Sequence, residues 1–204
     1  MKVSGATRQE TRRSLNIPDD AVVVVSIGRA EKVKGWDVLI AAFTKVAAAD
    51  PRARLLLVGA QESRGSTSFM QVIRDLLASA GLADRVCFAG HVTDVKAMLQ
   101  AGDIFVLPSR SEGCCLALLE ALEVSMPCVA TRVGNATEVI SDGGAGILVD
   151  RNDPEALGSA LLTLVRDDRK RASMSSAARI PDHIPSRRRY AQSLADLYET
   201  LISD

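Results

Sequence analysis

The chain has 204 residues, 47% of them hydrophobic, enough to bury one full core. Its 25 basic and 25 acidic residues balance, so no net field would concentrate nucleic acid, and no nucleic-acid partner is expected. The apolar runs fall far short of a membrane span of about 20 residues and no secretory leader is read at the start, which sets the expectation of a cytoplasmic protein.

In chain order, residues 1–20 are polar, carry Arg8, Arg12 and Arg13, and predict a short helix and a turn. The Val-rich run 21–27 has the continuous apolar pattern of a parallel strand covered on both faces. A loop follows, Gly28-Arg29-Ala30-Glu31-Lys32-Val33-Lys34-Gly35. Gly28 lets the backbone turn close to a ligand, and Arg29 and Lys34 offer two cations for phosphate oxygens. A solvated loop with incidental charge is the alternative. Trp36, Leu39, Ile40, Phe43 and Val46 then recur at helical spacing up to Asp50-Pro51.

Residues 54–58 predict a second buried strand, followed by Gly59 and a polar loop with Gln61 and Glu62. Ile73, Leu76, Leu77 and Ala80 mark a helix closed by Gly81, and 85–88 a third strand. In the loop Gly90-His91-Val92-Thr93-Asp94, Asp94 reads as the cap of the next helix and His91 as a surface residue.

The stretch 104–131 forms a strand–loop–helix–strand unit: a strand at 104–107, a polar loop at 108–113, a helix over about 115–124 and a strand at 128–131. In open parallel sheets such a loop, at the carboxyl end of its strand, is where ligands bind. Glu112 and Glu120 frame it, and the helical rise would set them roughly 12 Å apart. Between them the amides of Gly113, Cys114, Cys115 and Leu116 form a helix start that favours a diphosphate. The layout suits a ligand with hydroxyls at both ends and phosphates in the middle.

Residues 132–138 turn into a short helix in which Glu138 reads as a helix-start carboxylate. Gly143-Gly144-Ala145-Gly146 leads into a last strand at 147–149, and Asp153-Pro154 caps an apolar-striped helix. A basic run from Arg166 to Arg189 is a solvated face by default, with peripheral contact to an anionic membrane as the alternative. Tyr190, Leu194, Leu197, Tyr198, Leu201 and Ile202 stripe a final helix. The strands alternating with helices predict an α/β fold, a doubly wound, mostly parallel sheet. We expect a single domain over 1–204: an opening helix and turn (1–20), an α/β core (21–166) and a C-terminal helical extension (167–204).

Cys87, Cys114, Cys115 and Cys128 lack the paired spacings of zinc sites, and reduced, mostly buried thiols are expected. Cys114 and Cys115 also stand at a helix start, where a thiolate is favoured.

Pro108-Ser109, Glu112-Gly113, Leu119-Glu120-Ala121 and Pro127 together resemble the E-x(7)-E signature of the retaining glycosyltransferases of the large family 4. The resemblance covers about residues 9–202 and implies the Rossmann-like, nucleotide-sugar-binding C-terminal half of a GT-B glycosyltransferase. It implies that Glu112 contacts the donor sugar, Glu120 the ribose, and Arg29 and Lys34, in the loop opened by Gly28, the diphosphate. It likewise implies that the backbone at His91 and Val92 holds the base, and that Gly113, Cys114, Cys115 and Leu116 border the donor. Arg29, Lys34 and Glu112 are the implied catalytic set.

The implied reaction is transfer of a sugar from a UDP-sugar or GDP-sugar to an unknown acceptor, in glycan biosynthesis, at the inner face of the membrane or free in the cytoplasm. Turnover would need an N-terminal GT-B domain, in cis or trans. No cofactor or metal is expected, since the chain lacks an Asp-x-Asp pair and two cations serve the diphosphate. A catalytically silent nucleotide-sugar-binding or interaction module is the alternative. Against the family pattern, Glu123 stands for a small apolar residue on a packed face, and Ser125 for a Gly of positive φ. Cys114-Cys115 replaces an aromatic or Gly-like pair. Asn135 stands where Gly is usual, tolerable because Asn adopts the left-handed region.

Overall fold

The computed structural model describes residues 7–59, 67–140, 144–180 and 187–203. The expectations on Gln61, Glu62 and Gly143 lie outside them, as do those on the side chains of Tyr190 and Leu201. The elements run α1 (Arg8–Ser14), β1 (Val22–Ile27), α2 (Trp36–Ala49), β2 (Ala53–Val58), α3 (Thr67–Ser79), β3 (Val86–Gly90), α4 (Val95–Ala101) and β4 (Ile104–Leu107). Then follow α5 (Leu116–Glu123), β5 (Cys128–Thr131), α6 (Ala136–Val139), β6 (Gly146–Val149), α7 (Pro154–Arg166), α8 (Asp168–Ala177) and α9 (Arg187–Ser203).

The strands form one sheet in the order β3-β2-β1-β4-β5-β6, and each pairing is parallel. Strand side chains alternate between two cores. Val22, Val24, Leu55, Leu57, Ile104 and Val106 meet α2, α3 and α7, while Val23, Val25, Leu56, Val58, Phe105 and Leu107 meet α4, α5 and α6. Covering on both faces is why these strands read as unbroken apolar runs.

The strand order reverses between β1 and β4, and at that switch the loops leaving their carboxyl ends meet. Gly35 lets them close. At φ +69° it presses against the Pro108 carbonyl, where an added Cβ would sit 2.0 Å from the oxygen.

At the opposite end of the sheet, Arg12, which reads in sequence as one charge of a polar stretch, is only 3% exposed. It donates to the carbonyls of Ala101 (2.9 Å) and Ala21 (3.1 Å) and to Asp103 (2.8 Å), tying α1 to the amino ends of β1 and β4. The predicted stripe of α9 remains exposed at Leu194, Leu197, Tyr198 and Ile202. Among the described residues no helix is long and apolar enough to cross a membrane.

Candidate functional site

A cleft of about 320 Å3 opens at the carboxyl ends of β1 and β4, lined by Gly28, Arg29, Lys34, Glu112, Cys114, Cys115, Leu116 and Glu120, with Ile27, Leu107 and Ala117. Eight of the eleven sequence candidates are thus gathered in one place. Gly113 is exposed beside it without lining it. His91 and Val92 also lie outside the lining: His91 is exposed, and Val92 packs against the core around α4. A larger cavity of about 570 Å3 lies at the amino end of the sheet, but its cations are engaged, Arg8 with Asp103 and Arg171 with Asp168.

Lys34 ends a 3-10 turn (Lys32–Lys34) that Gly35 closes in the left-handed region. Its ammonium donates to both oxygens of Glu112, at 2.8 and 3.0 Å. Glu112 also accepts from the Ser109 hydroxyl at 2.6 Å, and Ser109, 1% exposed, is itself anchored by Thr131, whose hydroxyl donates to the Ser109 carbonyl at 2.7 Å. The Glu112 side chain, 11% exposed, is therefore held on two sides. An ammonium carries three donors. Two serve Glu112, which leaves one for the cleft. Arg29 differs: its side chain is 72% exposed and pairs with Glu31 at 2.7 Å.

The start of α5 departs from the expected row of open amides. Cys115, expected inside the helix, is its N-cap, and its amide is taken by the Asn135 carboxamide oxygen at 2.9 Å. The Leu116 amide bonds the Cys114 carbonyl at 2.9 Å. Among the described residues the Gly113, Cys114 and Ala117 amides have no hydrogen-bond partner, and of these residues Cys114 and Ala117 line the cleft. Asn135 itself has φ −89°; Gly134 takes the left-handed conformation instead, at φ +50°, packed on the Glu112 carbonyl. Ser125 does carry the strained φ, +58°, and its carbonyl accepts from Ser175 at 2.7 Å. Glu123, expected on a packed face, is exposed, because α5 buries Leu118, Ala121 and Leu122.

Burial pushes the Cys115 thiol up to about 11, and the neighbouring Glu112 charge adds to the shift. The helix-start thiolate reading is thereby corrected for Cys115, whose Sγ donates to the Val133 carbonyl. All four thiols are free; Cys115 and Cys128 are buried, Cys87 is half-buried and Cys114 exposed. The Glu120 carboxyl is raised from its ordinary value, first by partial desolvation and second by the charge of Glu123, although the residue is exposed. Among the described residues no group of three or more His, Cys, Asp or Glu side chains converges as a metal site would require. Asp94 caps α4 through the Ala97 amide (2.9 Å), the role read for it from sequence. Glu138 lies exposed in the first turn of α6.

Sequence reasoning missed Asp37 and Arg110, whose side chains form a two-oxygen ion pair at 2.7 and 2.9 Å beside the cleft. They are 73 residues apart, and each alone reads as an ordinary charge, in a helix's first turn or in a loop.

The sequence model of the family described as Glycosyl transferases group 1 matches residues 7–180. The chain is 35% identical over 175 residues to the D-inositol 3-phosphate glycosyltransferase of Stackebrandtia nassauensis, covering 82% of this chain and 39% of that protein. It is 34% identical over 171 residues to the mannosylfructose-phosphate synthase of Agrobacterium fabrum, covering 82% and 37%. The chain therefore spans about two-fifths of the length of these relatives.

Among solved structures, Anabaena Alr3699/HepE in complex with UDP-glucose superposes with a TM-score of 0.83 at 26% identity, over 100% of this chain and 54% of that one. The C-terminal domain of a glycosyl transferase group 1 family protein (LpcC) from Francisella tularensis superposes with a TM-score of 0.75 at 25% identity, over 87% and 91%. The fold is that of the C-terminal half of a GT-B glycosyltransferase, and the chain belongs to the glycosyl transferases group 1 family.

Proposed function

We propose that residues 1–204 are one nucleotide-sugar-binding domain, the donor half of a retaining glycosyltransferase. Its substrate would be a UDP-sugar or GDP-sugar, its acceptor side an N-terminal domain in cis or trans. The observation that carries this reading is the cleft at the β1/β4 switch, where Lys34, Glu112 and Glu120 surround a space of about 320 Å3 beside the unpartnered amides at the start of α5. Binding of UDP-glucose by the similar Anabaena protein supports it.

In this reading the open donor of Lys34, the Arg29 guanidinium and the unpartnered amides at the start of α5 receive the diphosphate. Negative charge develops there as the glycosidic bond breaks, so donors fixed in advance favour the transition state. Glu112, already aligned by Ser109 and Lys34, accepts from the sugar hydroxyls, and Glu120 from the ribose. The charge of the diphosphate is met by side chains, so the reading requires no metal.

Calorimetric titration with UDP, GDP and ADP tests it. Binding of UDP or GDP in preference to ADP, unchanged by a chelator, is the expected result; no binding of any of the three contradicts it. Assays of transfer and donor hydrolysis, with and without an N-terminal half supplied in trans, separate this reading from a silent binding module.

A further inference from the structure

For Lys34 to reach Glu112, the β1 loop and the β4 loop must be held in one relative setting, and the side chain that spans them is Arg110. It stands one residue after Ser109 and two before Glu112. Its Nη1 donates to the Lys32 carbonyl at 2.5 Å, and its two Nη groups donate to the two oxygens of Asp37 at 2.7 and 2.9 Å. Its backbone amide donates to the Val33 carbonyl at 2.8 Å. Lys32 and Val33 are the first residues of the turn that ends in Lys34, and Asp37 is the second residue of α2. Each of these bonds therefore runs from the loop that carries Glu112 to the segment that carries Lys34.

The two side chains are 24% exposed, so the pair is screened less than a surface pair. A guanidinium fork on a carboxylate fixes orientation as well as distance, which a point charge does not. Contact between the loops does not depend on the fork, because Gly35 already packs on the Pro108 carbonyl. What the fork adds is the rotational setting of the Lys32–Lys34 turn. We propose that the Arg110–Asp37 clasp is a positioning device that holds the Lys34 ammonium against Glu112 and at the height of the donor diphosphate. The diphosphate part rests on the donor-site reading above.

The test is a double-mutant cycle on the full chain, read by titration with UDP and GDP. A second readout, on ligand-free protein, is the ammonium signal of Lys34 in 15N-lysine NMR. Arg110→Ala should weaken nucleotide diphosphate binding about tenfold in the wild-type background, since small misplacements of a binding group are costly. In a Lys34→Ala background the same change should cost less than about twofold, because a group acting through Lys34 has nothing left to position. The Lys34 ammonium, protected in wild type by Glu112, should exchange too fast to observe in Arg110→Ala. Arg110→Lys should fall between, keeping charge but losing the fork.

Equal losses in both backgrounds, or an ammonium signal that persists in Arg110→Ala or is absent in wild type, would overturn the proposal. Should Arg110→Ala fail to fold, Arg110→Lys and Asp37→Asn carry the same cycle. If wild type binds neither UDP nor GDP, the donor-site reading fails by itself, and the NMR arm still decides whether the clasp positions Lys34 at Glu112.

Discussion

The Lys34 ammonium and the Glu112 carboxylate, 78 residues apart in the chain, form a two-oxygen ion pair at the mouth of the cleft. The two groups assigned to diphosphate and to sugar are thus each other's partner in the fold. Lys34→Ala leaves the Glu112 carboxylate, 11% exposed, with Ser109 as its remaining contact, an arrangement that costs about 1 to 3 kcal/mol. Melting curves should show that loss, and the Lys34→Ala/Glu112→Gln double variant should recover part of it. A double variant no more stable than Lys34→Ala would mean that Glu112 tolerates being unpaired.

Arg29 gives the opposite pattern. Its side chain is 72% exposed and its pair with Glu31 lies at the surface, so Arg29→Ala should leave the melting temperature unchanged. Nucleotide diphosphate affinity should nevertheless fall, by about 1.5 to 3 kcal/mol for a lost charge-assisted phosphate contact. Calorimetry alongside melting curves checks both halves. Unchanged affinity would return Arg29 to the solvated loop.

Gly35→Ala should be far more damaging than its size suggests. The residue combines φ +69° with a Cβ position 2.0 Å from the Pro108 carbonyl oxygen, so the loops of β1 and β4 must separate. Strain of this kind costs on the order of 1 to 3 kcal/mol or more, and nucleotide binding should be lost together with stability. Gly81→Ala is the control: φ is +64° there too, but nothing lies within 4 Å of the added Cβ. Equal effects at both positions would show that the φ value, not the loop contact, matters.

The fold was legible because burial on both faces leaves an unmistakable trace, the unbroken runs at β1 and β4. The cleft was legible because Lys34, Glu112 and Glu120 follow strand ends and a helix start, places that local pattern reveals. What stayed hidden was tertiary pairing. Arg12 reads as one more polar residue of a basic stretch until the carbonyls of Ala21 and Ala101 surround it. Asn135 was read through its backbone tolerance, yet its contribution is a side chain folded onto the Cys115 amide, and Gly134 supplies the left-handed turn. Arg110 and Asp37 carry no local signature, because nothing within 73 residues of sequence announces that the two loops touch. The stripe on α9 was visible as a period, but periodicity does not say what covers it.

Glu120 links stability to pH. Partial desolvation first, and the charge of Glu123 second, raise its carboxyl from the ordinary value although the residue is exposed, so the folded state slightly favours the neutral form. A raised folded value gives stability that is complete below the unfolded carboxylate pKa and lost as pH rises through the folded one. Glu120→Gln removes that loss. Because the residue is exposed and its charge is screened, the variant should gain melting temperature only slightly relative to wild type at about pH 7, and not at all near pH 4, where the carboxyl is largely protonated. UDP affinity at neutral pH should drop at the same time. A variant destabilised at neutral pH would mean that the charge is compensated by a partner in the fold.

The central claim, that Glu112 meets the sugar and Glu120 the ribose across one cleft, is tested most directly by titrating wild type, Glu112→Ala and Glu120→Ala with UDP and with UDP-glucose, or with the GDP pair if that base is preferred. Glu120→Ala should weaken nucleotide and nucleotide sugar alike, by roughly tenfold or more for a lost bond to a charged acceptor. Glu112→Ala should weaken the nucleotide sugar by a similar factor and the free nucleotide little, closing the gap between them. Equal weakening of both ligands by Glu112→Ala, or affinities untouched by either substitution, would contradict the assignment.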